Sequence, residues 1–347
     1  MTWLLYGANG YTGTLIARLA VQRGERPVLA GRSREPIAAL AAELGLEHRV
    51  FGLADPDGIR RGLEGIAAVA HCAGPFSVTA GPMARACVNA GLHYVDITGE
   101  IEVFEDLHQL HDRARAVGSV LLPGAGFDVV PTDCVAAMLA EALPGASRLD
   151  LAFLAGGGPS PGTAKTAVEG MSQGGKARID GAIQTVPMGW RTIRAGFPSG
   201  PRTVTSVPWG DVSTAYYSTG IRDITTYTVV PAGAMRANQV LGLHRLLRLG
   251  PAMRVAQALA GRSPGPSEQR RARSRAEVWG RATAGGQSVH AALSMPNAYD
   301  LTADSVVRVM TRLGSIAPGT HTPSTALGPR YVTELDGVTL TGPAEGG

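Results

Sequence analysis

The stretch Trp3–Gly13, WLLYGANGYTG, limits the fold more than any other part of the chain. Four apolar or aromatic residues run straight into Gly7, Gly10 and Gly13. The next segment puts Leu15, Ile16, Leu19 and Ala20 on one helical face. A strand must therefore turn tightly into a helix. Gly7 lets the chain leave the strand, Gly10 lets backbone approach a bound group, and Gly13 lets helix and sheet pack closely. N–H groups at such a helix start, backed by the positive end of the helix dipole, suit an anion.

The alternation continues. Strands are predicted at Pro27–Ala30 and in HRVFGL (48–53), AAVAHC (67–72), HYVDI (93–97) and VLLPGAG (120–126). Between them fall a helix with Ile37, Leu40, Ala41 and Leu44 on one face, a short helix near 57–63, and a helix from HCAGPF to about Ala90. Val103, Leu107, Leu110, Ala114 and Val117 make one further stripe. Pro131 suits the first turn of a helix bearing Val135, Met138, Leu139 and Ala142, where its missing N–H would have no partner. Strands alternating with helices require crossovers, so the fold class is α/β, a Rossmann-type doubly wound parallel sheet.

A chain of 347 residues exceeds one compact core, and two domains are expected. The rhythm changes after residue 147. RLDLAFLAGG (148–157) reads as a strand, and residues 273–295 read as two strands joined at Ala284-Gly285-Gly286. Residues 232–260 and 302–313 read as helices. The expected division is a dinucleotide-binding domain at 1–147, an α+β substrate and dimerisation domain at 148–320, and a tail at 321–347 that packs back on the first domain.

The glycine turn supplies the candidate cofactor contacts Gly7, Asn9, Gly10, Tyr11, Thr12 and Gly13. The second strand ends VLAGRSRE, and there a cofactor with a free ribose 2′-OH usually meets an acid. This chain offers Arg32 and Ser33 instead, and a guanidinium suits a 2′-phosphate, so the expected cofactor is NADP(H). Asp55, past the third strand, is a candidate neighbour of the adenine or a helix cap. Three stretches end later strands: HCAGPF (71–76), YVDITGE (94–100) and PGAGFDVVPTD (123–133). Cys72, Ala73, Gly74, Pro75 and Phe127 join the cofactor candidates. Asp96, Glu100 and Asp128 are acids near the proposed crevice or, alternatively, helix or turn caps. Tyr94, Asp96 and Asp128 are the candidate catalytic residues, with Thr98, Tyr216 and Tyr217 as further hydrogen-bond donors.

GANGYTG, AGR, CAGPF, HYVDITGE and GFDVVPTD, in that order, resemble the saccharopine dehydrogenase-like reductases, and within them the trans-acting enoyl reductases of lipid and polyketide pathways. The likeness continues in 162–171, 265–280 and 319–328, so it spans almost the whole chain. It implies an NADP-binding domain, an α+β substrate domain, and hydride transfer to an activated C=C bond of an acyl, lipid or natural-product intermediate. Imine (C=N) reduction and a non-catalytic NADP(H) sensor are the alternatives. The turn departs from the G-x-G-x-V type of the lysine-pathway enzymes, which argues against a saccharopine substrate. GANGYTG also resembles semialdehyde reductases, but those need an activated cysteine at a helix start. Cys87 and Cys134 fall inside predicted helices instead.

Charge and composition narrow the partners. Residues 231–281 hold ten arginines and two acids, within a chain of net charge +4. With Trp279 as its one aromatic residue and no recognised nucleic-acid module, this segment does not read as a nucleic-acid site. Residues 236–281 are instead a candidate docking surface for an acyl carrier protein or a lipid interface, serving a small or carrier-bound acyl substrate. A homodimer is also allowed. Three cysteines in apolar contexts, without metal-ligand spacing, imply neither a disulfide framework nor a metal. TWLLYG lacks a basic leader, and a cytoplasmic protein is expected.

Overall fold

A computed structural model describes residues 1–160, 162–164, 174–230 and 265–345. The chain opens with β1 (Trp3–Tyr6), α1 (Tyr11–Gln22), β2 (Val28–Gly31), α2 (Arg34–Leu44), β3 (His48–Val50) and α3 (Pro56–Gly62). β4 (Ala68–His71), α4 (Phe76–Asn89), β5 (His93–Asp96), α5 (Ile101–His108), α6 (His111–Ala116), β6 (Val120–Leu122) and α7 (Val130–Ala142) follow. Next come β7 (Arg148–Ala155), β8 (Gly175–Ile179), β9 (Ala182–Val186), β10 (Thr192–Phe197), β11 (Gly200–Ser206), α8 (Asp211–Thr219) and β12 (Asp223–Thr228). The described chain closes with α9 (Glu268–Arg273), β13 (Arg275–Ala284), β14 (Gln287–Pro296), α10 (Ala298–Arg312), β15 (Gly319–Thr320), α11 (Pro323–Leu327) and β16 (Thr339–Glu345).

Contacts divide the molecule into two units, 1–130 with 299–327 and 131–298 with 328–347. In the first, the strands run β15-β6-β5-β4-β1-β2-β3, all parallel. The reversal of order at β1 is the doubly wound arrangement, in which ligands bind outside the carboxyl ends of the strands. β1, β2, β4 and β6 are buried at every position, as strands covered on both faces must be. On one face, Leu4, Val28, Val69, Tyr94 and Leu121 pack with Ile59, Leu63, Met83, Cys87 and Leu107. The predicted stripe from Val103 to Val117 is broken into α5 and α6, yet Val103, Leu107 and Ala114 still enter this one core.

The second unit is a mixed sheet in the order β10-β11-β12-β7-β13-β14-β16, with β8 paired to β12 and β9. β7 runs parallel to β12 and antiparallel to β13. β13 and β14 form the predicted hairpin, turning at Gly285 and Gly286. Both glycines have positive φ, which explains why the turn is glycine-rich.

This division differs from the one the sequence suggests. α7 belongs almost wholly to the second unit because its Val135 and Leu139 lie over Gly280 of β13. Residues 299–327 return to the first unit, where β15 pairs with β6 beyond the six expected strands. The expected return of the tail ends at Leu327, since β16 pairs with β14 instead. The expected helix at 232–260, residues 236–264 of the basic segment and most of 162–171 lie outside the described residues.

A Cβ at position 280 would stand 2.5 Å from Val135 Cγ1 and 2.9 Å from Leu139 Cδ1. Overpacking of a closed core costs about 1–3 kcal/mol, so Gly280→Ala should lower the urea midpoint by that amount of stability, with the m-value unchanged.

Candidate cofactor and active site

The strand ends of the first unit build a ledge around the β1–α1 turn. Gly7 has φ +82°, and a Cβ there would stand 2.8 Å from the Ala73 nitrogen, so the turn and the β4–α4 loop touch backbone to backbone. At Gly13 a Cβ would collide with the Gly7 carbonyl oxygen and come within 2.9 Å of Ala8 Cα. Hydrogen bonds from the Gly7 and Ala8 N–H groups to the Ala30 carbonyl (2.8 and 3.2 Å) tie the turn to β2. Gly10 is the N-cap of α1, and no side chain caps the first turn. Asn9 and Gly10 are exposed, whereas Gly7 and Gly13 are buried. The outer turn is thus open to an anion while its base is closed by backbone.

Arg32 follows β2 directly, is exposed, and makes no ion pair with any described residue. Its charge acts on the Tyr6 hydroxyl group, which places it at the β1 end of the ledge. The Asn9 carboxamide oxygen lies over Gly31, beside the entry to Arg32 and Ser33; a Cβ on Gly31 would stand 3.2 Å from it. These residues fit a phosphorylated dinucleotide: a backbone cradle for the pyrophosphate and a guanidinium for the 2′-phosphate. Asp55 is the N-cap residue of α3, with its Oδ2 3.6 Å from Arg61 Nη2. Tyr11 packs edge-on against Tyr299, with ring centroids 4.9 Å apart. Tyr299 comes from the far end of the sequence, in α10, and no motif around it signals that partnership.

The β4–α4 loop carries Cys72, Ala73, Gly74 and Pro75, with a cis peptide between the last two. The Cys72 N–H donates to the Tyr6 carbonyl at 2.8 Å, and Thr79 Oγ1 donates to the Ala73 carbonyl at 2.6 Å. Burial, reinforced by the charge of Asp96, pushes the Cys72 thiol up, which leaves it protonated and a poor nucleophile. Glu100 reaches across from the β5–α5 loop and accepts from the Phe76 N–H (3.0 Å) and the Ser77 N–H (2.6 Å). Of the two roles open to it in the sequence, the geometry shows the cap: a carboxylate on the N-terminus of α4.

Tyr94 and Asp96 turn inward, with exposures of 0% and 1%. Asp96 Oδ1 accepts from the N–H groups of Thr98 (3.0 Å) and Gly124 (2.9 Å), and Oδ2 accepts from the Tyr94 hydroxyl (2.8 Å). The Ala125 N–H also donates to the Asp96 carbonyl at 2.7 Å. This residue therefore fastens the β5 and β6 loops to each other, and neither it nor Tyr94 is open to a substrate. Thr98 is equally enclosed, its hydroxyl accepting from the Glu100 N–H at 3.1 Å. Burial raises the Asp96 carboxyl to about 6, against the lowering effect of its three donors.

Asp128 differs. It sits on the β6–α7 loop, partly exposed, with its carboxyl against the Gly99 backbone. Burial of the carboxyl raises it to about 7. Phe127 beside it is buried, and its N–H donates to Thr302 Oγ1 at 2.9 Å. In the second unit, Tyr216 lies under the Arg178 guanidinium (4.2 Å) and Tyr217 is 38% exposed. Among the described residues no cluster of His, Cys, Asp and Glu is arranged to hold a metal, and no helix is long and apolar enough to cross a membrane.

The first unit is, by strand order and by its turn, a dinucleotide-binding doubly wound domain. Residues 3–122 match the family described as Saccharopine dehydrogenase NADP binding domain. Over this unit the chain is similar to the NADP-binding domain of the saccharopine dehydrogenase-like oxidoreductases. A trans-acting enoyl reductase of Mycobacterium leprae is 36% identical over 140 residues, which cover 38% of this chain and 33% of that protein. A saccharopine dehydrogenase-like oxidoreductase of Rattus norvegicus is 25% identical over 203 residues, covering 50% of this chain and 47% of that protein. The chain thus spans a third to a half of the length of these relatives. The crystal structure of apo histidine-tagged saccharopine dehydrogenase (L-Glu forming) from Saccharomyces cerevisiae superposes with a TM-score of 0.64, at 13% identity, over 98% of this chain and 100% of that one. That likeness establishes a shared fold across both units.

The two buried groups at the strand ends respond to pH with opposite signs. Asp96 titrates near 6 when folded against a usual 3.8, so its contribution to stability falls as pH rises through that window. His71, fully buried with neither ring nitrogen partnered among the described residues, is pushed by burial from 6.5 to about 3, so its contribution rises with pH. Asp96→Asn should therefore gain stability relative to the wild type between about pH 4 and about pH 7, and His71→Phe should lose its relative advantage over the same range. Urea midpoints of the three proteins at both pH values check the two opposite slopes.

Proposed function

We propose that the chain is an NADPH-dependent reductase that delivers hydride to an activated C=C bond of an acyl, lipid or natural-product intermediate. The observation that carries the cofactor half of this reading is Arg32, exposed and without an ion pair to any described residue at the end of β2, beside a glycine turn with no side-chain cap. The likeness of the N-terminal unit to a trans-acting enoyl reductase supports the acceptor half. When bound, NADPH supplies the hydride.

The residues of this chain hold and protonate. Gly7, Asn9, Gly10, Tyr11, Thr12 and Gly13 present backbone to the pyrophosphate, while Arg32 and Ser33 take the 2′-phosphate. Ala73, Gly74 and Pro75 give a small, side-chain-poor wall at the end of β4, suited to a sugar passing closely. Phe127 closes the same ledge at β6. Asp128, raised to about 7, keeps its proton near neutral pH and is the group placed to return a proton to a carbanion or enolate. Asp96 and Tyr94 act behind it by fixing the loops that carry Gly99 and Asp128.

The partner reading extends to the second unit. Of the basic segment 236–281, the described part exposes Arg270, Arg273 and Arg275 on and beside α9. Such a surface suits an acidic carrier protein or an anionic lipid interface presenting the acyl substrate. Oligomeric state and compartment are read with it as a homodimer and the cytoplasm.

Arg32→Ala should weaken NADPH binding by about 1–3 kcal/mol and leave NADH binding nearly unchanged, as titration of each reduced cofactor by fluorescence would record. Equal losses for both would mean that Arg32 does not contact the 2′-phosphate. Supplied with a panel of enoyl thioesters and cyclic imines, the wild type should oxidise NADPH with the thioesters. Turnover of the imines alone would reassign the acceptor to C=N, and tight NADPH binding without any turnover would mark a sensor.

A further inference from the structure

One face of the second sheet gathers charge that the reductase reading does not use. Asp150 of β7 stands opposite Arg281 of β13 in register, and Trp279 stands opposite Ala152. Arg148, two residues before Asp150, shares their face, and Tyr227 of β12 reaches the same carboxylate. Asp150 Oδ1 accepts from Arg148 Nη2 (3.1 Å) and the Tyr227 hydroxyl (2.9 Å), while Oδ2 accepts from Arg281 Nη2 (2.9 Å).

The charges do not balance. Asp150 is 1% exposed, and it is the one carboxylate that either guanidinium contacts among the described residues. Asp223 is next to Arg148 in register on β12, but its Oδ1 accepts from the Asp180 N–H (2.8 Å) and it forms no ion pair with Arg148. One buried carboxylate therefore serves two guanidiniums, leaving one positive charge in excess. The Nε atoms of both arginines are buried without a hydrogen-bond partner. Buried donors are ordinarily satisfied, and the donor sets of these two arginines are not. The Nε atoms are closed to solvent while the side chains remain 37% and 36% exposed, so what solvent reaches of each guanidinium lies on its Nη side, next to the Nη2 that Asp150 holds. The Arg281 guanidinium also lies 5.5 Å from the Trp279 ring centroid, which fixes its direction further.

A planar donor group already held in place loses little freedom on binding an oxyanion. We propose that this face is an oxyanion-binding site, in which the open edges of Arg148 and Arg281 take a carboxylate or phosphoryl group. Asp150 keeps the two guanidiniums side by side and prevents their mutual repulsion from separating them. The site lies wholly within the second unit and is independent of the nucleotide cradle. It adds an anionic group to the ligands that the chain recognises.

The test uses full-length protein labelled with 15N on tryptophan and arginine side chains. Sodium phosphate and sodium acetate are titrated separately at constant ionic strength, with sodium chloride as the reference. The Trp279 indole N–H signal, assigned through Trp279→Phe, and the arginine Nε–H signals report binding. A saturable shift with phosphate assigns a phosphoryl ligand, and one with acetate assigns a carboxylate. Arg148→Lys and Arg281→Lys keep the charge and the neutralisation of Asp150 but lose the fork, so each should weaken the response at least about tenfold. Arg32→Ala should leave it unchanged, which separates this site from phosphate held by the glycine turn. No saturable shift with either anion up to about 100 mM would overturn the proposal, as would a shift that persists in both lysine variants.

Discussion

The close approach of three backbone segments at Gly7 and Gly13 is the contact on which the nucleotide-binding half depends. β1 hands the chain to α1 through a turn that touches the β4–α4 loop at Ala73, and α1 in turn presses on the Gly7 carbonyl. There is no space for a methyl group at either position. This proximity places the start of α1, the end of β2 and the loop after β4 around one edge of the sheet. An uncapped helix start would be a small instability in isolation. Here it is a ready place for phosphate oxygens, and the same openness that a stable helix would avoid is what a nucleotide requires.

Behind that edge the structure uses buried polar groups as fasteners. Asp96 collects two backbone N–H groups and one hydroxyl from three different chain positions, joining β5 to the loop after β6. Glu100 does the equivalent for α4. Loops at strand ends lack a ladder of their own, so a carboxylate that accepts from several of their N–H groups is an efficient way to hold them. These acids lie in a stretch that carries candidate catalytic residues, and the geometry shows that proximity to a site and participation in chemistry are different properties.

Much of this was legible in the sequence for a physical reason. A parallel sheet buried on both faces demands unbroken apolar runs, and the glycine turn can occur at few places in such a fold, so β1 to β6 and their order of function could be read locally. The place of Arg32 directly after β2 was legible in the same way, because the apolar run that makes the strand ends at Gly31. The partners of Tyr11 and Phe127 were not, since Tyr299 and Thr302 come from a helix whose own sequence gives no sign that it returns to the first unit. Nor was the place of α7 visible: its apolar face would suit either sheet, and its Val135 and Leu139 pack over Gly280, a glycine on a distant strand. In the second unit, Arg148, Asp150 and Arg281 are unremarkable along the chain and meet only through the register of β7 and β13.

Asp96 and Asp128 show why burial alone does not identify a catalytic acid. Both carboxyls are raised by desolvation, to about 6 and about 7. Three donors fill the oxygens of Asp96, so a proton gained there competes with hydrogen bonds that hold two loops together, and the group is closed to any ligand. Asp128 pairs a raised carboxyl with partial exposure and a glycine neighbour that leaves it room. A general acid needs a proton held near neutral pH and a path by which to deliver it. Of these two residues only Asp128 keeps any exposure, which is why the proposed role of proton donor falls to it and not to Asp96.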